Sequence, residues 1–146
     1  MAVIKQADFI DSIADALQYI SYYHTVDYIT NRADAYAREE SPAAKDAMAQ
    51  ILINSRMSAE GHRPLCQDTG TIICYADLPK WCDEKSFRKA YEKAVVEATR
   101  VGYLRQNSVD SVTGANSGDN IGPGNPSFHF HQATGRALTV RMMLKG

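Results

Sequence analysis

The chain has 146 residues, and its 16 basic and 17 acidic side chains leave a formal net charge of −1. A hydrophobic fraction of 45% and a charged fraction of 23% are typical of one globular domain, which we expect to span residues 1–146. The balanced charge argues against nucleic acid or an acidic membrane as partner, since both need a concentrated basic face. No apolar run approaches the ~20 residues of a membrane span, and the N-terminus turns polar too soon for a secretory signal. We therefore expect a cytoplasmic protein.

The first sixty residues predict helices. Apolar side chains recur there at spacings of three and four, namely Phe9, Ile10, Ile13, Leu17 and Ile20. Ser41–Pro42 predicts the start of a further helix, because serine can cap free N–H groups and proline is tolerated at the first helical position. We expect that helix to end near Gly61. Five of the eight tyrosines lie by position 36, which is typical either of a helix pair with solvated hydroxyls or of a surface that docks another domain or subunit.

The rest of the chain predicts strands around one more helix. Thr71–Ala76 is a short apolar run suited to a buried strand, and a helix follows Asp83. Residues 127–131 and 138–142 alternate like two strands of a hairpin joined at 133–135. This order predicts an α+β fold, with N-terminal helices packed on a small mixed or antiparallel sheet that ends in a C-terminal hairpin.

Three cysteines, at positions 66, 74 and 82, are too few for a disulfide framework and form no Cys-x-x-Cys pair. Cys74 lies in an apolar strand, where a small buried hydrophobe is the favoured role. Cys66 follows His62 and Arg63, whose charges favour a thiolate that serves as nucleophile or metal ligand, with a buried thiol in a polar turn as the alternative. The role of Cys82 stays open, and a self-contained three-cysteine metal site is a further alternative.

Two more segments and a histidine pair carry candidate chemistry. Arg105 is followed by amide and hydroxyl side chains, a combination that suits a carboxylate because guanidinium offers a bidentate fork. Residues 114–126 hold four of the nine glycines but match neither a Walker loop nor a dinucleotide fingerprint, which favours close packing against a cofactor or another domain. His129 and His131 share one side of a strand and are either two metal ligands or ordinary strand histidines.

These segments resemble a known family. Arg63-Pro-Leu-Cys-Gln-Asp-Thr-Gly70 resembles the signature of class I fumarases and L-tartrate dehydratases, the oxygen-sensitive iron–sulfur hydro-lyases. Two matches follow in the family's order: residues 104–109 resemble its Leu-Arg-x-x-Ser/Ala-Val segment, and residues 116–120 its Asn-Thr/Ser-Gly-x-Asn loop. The N-terminal helices look like those of single-chain class I fumarases. From about Asp77 onward the chain looks more like the α subunit of two-subunit fumarases.

The resemblance implies reversible hydration of fumarate to (S)-malate, a reaction of the tricarboxylic acid cycle, through a [4Fe–4S] cluster. In that family three cysteines hold the cluster and leave one iron open as a Lewis acid. Cys66 matches the first of these ligands, and the other two are expected outside this chain. Gln67 and Asp68 would line the substrate, with Asp68 as the catalytic group that accepts a hydrogen bond from the hydroxyl. Arg105 would hold a substrate carboxylate.

The resemblance also implies partners. We expect this chain to be the N-terminal, α-type part of the enzyme, with the catalytic C-terminal part absent and supplied by a C-terminal domain or a β subunit. The base that removes the carbon-bound proton matches nothing in this sequence. The complete enzyme is expected to form a homo-oligomer, in the simplest case a dimer. The alternatives are an L-tartrate dehydratase α subunit and a docking module that is inactive without its other half.

Overall fold

The structure is a computed structural model that describes residues 4–145. It contains four α-helices: α1 Gln6–Tyr22, α2 Val26–Arg38, α3 Pro42–Gly61 and α4 Glu84–Arg100. It contains three strands: β1 Ile72–Leu78, β2 Ser127–Gln132 and β3 Thr139–Leu144. A short 3-10 turn, Gln67–Gly70, leads directly into β1. The α+β class, the predicted helices and the predicted strands are confirmed.

The sheet has the order β2-β1-β3, so the predicted C-terminal hairpin is wrong. β1 is the central strand, parallel to β2 and antiparallel to β3, and the last two strands flank it instead of pairing with each other. Six residues connect β2 to β3. They can cross the end of β1, because two strand spacings amount to only about 10 Å and six extended residues reach about 20 Å. The sheet is therefore mixed, one of the two forms expected.

The core lies between one face of the sheet and the helices α1 and α4. Ile72, Cys74 and Ala76 alternate along β1 toward this face, and each is 0% exposed. Leu17 of α1 and Tyr91 of α4 are equally buried against them. Such alternation follows from the two-residue repeat of a strand, which places the remaining side chains of β1 on the opposite, half-buried face. The buried position predicted for Cys74 is confirmed.

The helix starts show which of the predicted capping residues form a cap. Pro42 occupies the first turn of α3 as predicted, but the side chain of Ser41 does not cap that helix. Instead the Ser41 N–H donates to Glu39 Oε1 at 2.9 Å. At α4, Asp83 Oδ1 accepts from the Ser86 N–H at 2.9 Å, so this helix has a side-chain cap. Within residues 4–145, no helix has the length and apolar character needed to span a bilayer.

Candidate functional site

The motif around Cys66 forms a tight turn between α3 and the central strand. Cys66 is extended, and its Sγ accepts the Asp68 N–H at 3.2 Å. Thr69 Oγ1 donates to the Cys66 carbonyl at 3.3 Å, and the Thr71 N–H donates to the Asp68 carbonyl at 2.9 Å. The turn is thus closed by its own polar groups, which fixes the thiol and the carboxylate relative to the start of β1.

The predicted arginine segment is docked onto this turn. The Arg105 N–H donates to the buried Thr69 Oγ1 at 3.2 Å. Asn107 Nδ2 donates to Thr71 Oγ1 at 3.0 Å and to Asp68 Oδ1 at 3.4 Å. Two segments more than thirty residues apart in sequence therefore form one site. Loops held by a rigid scaffold in this way are where binding groups concentrate.

Asn120 joins the third predicted segment to the other two. It is 0% exposed, and its backbone is left-handed (φ 62°), a conformation that asparagine tolerates better than most residues. Its Oδ1 accepts the N–H groups of Asn107 at 3.0 Å and Ser108 at 3.3 Å, while its Nδ2 donates to the Arg105 carbonyl at 2.8 Å and to Thr99 Oγ1 at 3.0 Å. The sequence did not predict this role, because an asparagine in a glycine-rich loop gives no indication of its distant partners.

Gly70 allows these segments to approach one another. A Cβ at this position would collide with the Arg105 carbonyl oxygen and with the side-chain oxygens of Asn107 and Asn120. Asn125 fixes the same glycine from the other side, since its Nδ2 donates to the Gly70 carbonyl at 2.8 Å. The glycine of the Cys-Gln-Asp-Thr-Gly motif is therefore required by packing across the site.

Gln67 and Arg105 line one open cavity of about 730 Å³ beside the turn. Both side chains are exposed, and Asn107 lies in the same wall. Arg100 also borders the cavity, but Glu97 holds its guanidinium at 2.6 Å. Asp68 lies beside this cavity, where its Oδ1 accepts a hydrogen bond from Asn107 Nδ2 at 3.4 Å and its Oδ2 is 3.1 Å from Lys145 Nζ. The site thus combines a guanidinium, an amide and a carboxylate.

The structure does not bring the three cysteines together. Burial is the main cause that raises the pKa of the Cys74 thiol, to about 12. This thiol is therefore protonated at neutral pH and unsuited to binding a metal ion. Cys82 lies just before α4, and burial raises its pKa as well.

His129 stacks on Tyr75 with ring centroids 4.6 Å apart. Among the described residues, no three His, Cys, Asp or Glu side chains form a group that could hold a metal ion.

Cys66 lies in a polar environment beside the end of β3. Its thiol is half-buried, and its Sγ lies 3.8 Å from the carbonyl oxygen of Lys145 at the end of β3. The N–H···S hydrogen bond from Asp68 is of the kind that supports thiolate ligands of iron–sulfur clusters. Over residues 4–145 the donors therefore fit a single thiolate ligand and not a complete metal site.

The structure is thus an α+β fold in which the Arg105 segment is docked on a Cys-Gln-Asp-Thr-Gly turn. Residues 10–146 match the family described as fumarate hydratase (fumerase), and the chain belongs to that family of enzymes. It is 41% identical over 100 residues to a putative fumarate hydratase class I of Geobacillus stearothermophilus, an alignment that covers 68% of this chain and 20% of the relative.

A second relative is a putative L(+)-tartrate dehydratase subunit alpha of Methanocaldococcus jannaschii. The two sequences are 27% identical over 141 residues, which cover 93% of this chain and 50% of the relative. The chain thus spans between a fifth and a half of the length of these curated relatives.

Proposed function

We propose that the chain is the N-terminal, α-type part of a class I fumarase, which reversibly hydrates fumarate to (S)-malate. The observation that carries this proposal is the docking of the Arg105 segment onto the Cys66–Gly70 turn through Thr69 and Asn107. This docking holds the backbone of Arg105 and the side chain of Asn107 against the turn that carries Cys66, Gln67 and Asp68. Membership of the fumarate hydratase family supports the reaction class.

The residues of this chain have separate roles in the proposed reaction. The Arg105 guanidinium binds one substrate carboxylate through a bidentate pair of hydrogen bonds. Gln67, in the wall of the same cavity, orients the substrate through its amide. Asp68 accepts the hydrogen bond of the substrate hydroxyl and so orients the C–O bond that breaks. The departing hydroxide takes up a proton from a donor supplied by the rest of the enzyme and leaves as water. A base supplied by the rest of the enzyme removes the carbon-bound proton.

Cys66 would supply one of the three thiolates of a [4Fe–4S] cluster. When bound, such a cluster with one open iron supplies Lewis-acid activation of the substrate's hydroxyl and carboxylate oxygens. The support for Cys66 is its half-buried thiol and its N–H···S bond to the backbone. One cysteine of this kind cannot hold four irons, so we expect the isolated chain to bind no stable cluster.

The complete enzyme would include a C-terminal domain or a β subunit that closes the site. The support is that the chain spans only a fifth to a half of the relatives it matches, while Gln67 and Arg105 stay exposed at an open cavity. The dicarboxylate substrate would bind between the two parts. The cytoplasmic location and the homo-oligomeric state of the complete enzyme stay predictions.

Arg105→Lys in the complete, anaerobically reconstituted enzyme tests the proposed carboxylate contact. Lysine keeps the positive charge but loses the bidentate fork. A hydrogen bond to a charged group is worth about 1.5–3 kcal/mol, so kcat/KM should fall about 10- to 150-fold while the visible absorption of the cluster stays intact. Arg56→Lys, at an exposed position of α3, is the matched control. Unchanged kinetics in Arg105→Lys would remove this residue from the site.

L-tartrate dehydratase activity is the second candidate, favoured by the alignment of 93% of this chain with a tartrate dehydratase α subunit. Turnover of malate and of tartrate, measured on the same reconstituted preparation, separates the two. Preferential turnover of malate supports the fumarase assignment, and preferential turnover of tartrate replaces it. A complete enzyme that turns over neither acid would favour the docking-module alternative.

A further inference from the structure

Two residues from distant parts of the chain hold the two oxygens of the Asp68 carboxylate. Asn107 Nδ2 lies 3.4 Å from Oδ1, and Lys145 Nζ lies 3.1 Å from Oδ2. We call Asn107 and Lys145 the carboxylate clamp. Neither residue has a role in the proposed reaction described so far.

Asn107 is itself rigidly placed. Its backbone N–H donates to the buried Asn120 Oδ1 at 3.0 Å, and its Nδ2 also donates to Thr71 Oγ1 at 3.0 Å. A primary amide carries two hydrogens, so Nδ2 can serve Thr71 and Asp68 together. The position of Asn107 therefore restricts where Oδ1 of Asp68 can lie.

Lys145 reaches Asp68 from the end of β3. Its backbone N–H donates to the Thr71 carbonyl at 3.0 Å, which fixes its Cα beside the turn. The side chains of this ion pair are 67% and 45% exposed for Lys145 and Asp68. Exposed ion pairs add little to folding stability, since solvent screens them. The Lys145–Asp68 ion pair can therefore orient the Asp68 carboxylate even though it adds little to stability.

We propose that Asn107 and Lys145 are positioning residues that hold Asp68 in the rotamer that meets the substrate hydroxyl. This inference rests on the proposed function, in which Asp68 accepts that hydroxyl's hydrogen bond. A carboxylate offers about four lone-pair sites, and the clamp occupies one on each oxygen. The remaining lone pairs stay free for the substrate in a single orientation, which lowers the cost of reaching the reactive geometry.

A double-mutant cycle in the complete reconstituted enzyme tests the clamp. Asn107→Ala and Lys145→Met should each lower kcat on the order of 10- to 100-fold, with KM changed much less. Neither change should alter the visible absorption of the cluster. In an Asp68→Ala background, either further change should add little, because the residue through which both act is gone. Lys145→Arg should recover part of the lost kcat.

The controls separate positioning from general damage. Asn31→Ala and Lys89→Met alter exposed residues of α2 and α4 and should leave kcat unchanged. If Asn107→Ala unfolds the protein, Lys145→Met still decides, since its exposed side chain adds little to the thermal midpoint. Losses that add fully to that of Asp68→Ala, or a loss confined to KM, would overturn the clamp. A wild-type enzyme without turnover contradicts the proposed function instead, and the clamp with it.

Discussion

Gly70 lies where three oxygen atoms converge, and its hydrogen is the only substituent that fits. These are the carbonyl oxygen of Arg105 and the side-chain oxygens of Asn107 and Asn120. Gly70 is not among the residues with positive φ, so the requirement comes from close approach of the second segment and not from backbone freedom. At this scale the site is a set of short polar contacts around one glycine.

Gly70→Ala should destabilise the protein by about 3 kcal/mol or more, the upper end for an added methyl in a packed site. The new Cβ would displace backbone as well as side chains, so the neighbours cannot rotate away. Urea-induced unfolding measures the change in the free energy of unfolding. Gly135→Ala is the matched control, since a Cβ there meets nothing within 4 Å. Equal effects of the two substitutions would contradict the packing described for Gly70.

At the scale of elements, β1 connects the site to the core. The turn that carries Cys66 leads directly into this strand, whose inner side chains are fully buried against α1 and α4. The end of β3 returns to the same turn through the bond between the Lys145 N–H and the Thr71 carbonyl. The site is therefore attached to the most buried element of the fold, which holds its groups in place.

The buried thiol of Cys74 in β1 predicts a loss of stability at alkaline pH. In the unfolded chain this thiol ionises near its ordinary pKa of 9.0, whereas burial raises the folded value to about 12. Stability is therefore fully present below about pH 9 and falls as pH rises toward 12, by at most about 1.4 kcal/mol per pH unit. Burial also raises the pKa of Tyr91, which adds to the loss above about pH 10.

Urea unfolding at about pH 8 and about pH 10 measures this effect. Cys74→Ala should be less stable than the wild type at the lower pH, because it leaves a cavity, but should lose less stability between the two values. Cys82 remains in both proteins. The upper pH does not exceed the ordinary tyrosine pKa of 10.0, so Tyr91, which is coupled to Cys74, contributes little and the difference in slope reports mainly Cys74. Parallel pH dependences would show that the Cys74 thiol ionises as readily in the folded protein as in the unfolded chain.

Apolar patterns predicted α1, α4 and the three strands because these patterns reflect local burial, and Pro42 and Asp83 marked two helix starts correctly. The helix α2, which has no buried residue, was expected only as one of several N-terminal helices. Apolar patterns could not predict the sheet order, since alternation in 127–131 and 138–142 identifies strands but not their partners. The same limit applies to the site. The motif residues were identified from the sequence, but the contacts of Asp68 with Asn107 and Lys145 depend on the topology that brings distant segments together.

At the scale of the whole molecule, α1 and α4 cover one face of the sheet, and the site stays open. Gln67 and Arg105 are exposed at a cavity of about 730 Å³, while the half-buried Cys66 thiol lies at the end of β3. The chain matches its relatives over only part of their length. We therefore propose that a further domain or subunit completes the cavity, the dicarboxylate site and the cluster ligands together.

Cys66 as a cluster ligand is tested most directly by the visible absorption spectrum of the complete enzyme, reconstituted anaerobically with iron and sulfide. Cys66→Ser should abolish the broad iron–sulfur absorption and the turnover. Cys82→Ser, which changes a half-buried thiol away from the site, should retain both. Full iron–sulfur absorption in Cys66→Ser would contradict the proposal that this chain supplies a thiolate to the cluster of a hydro-lyase.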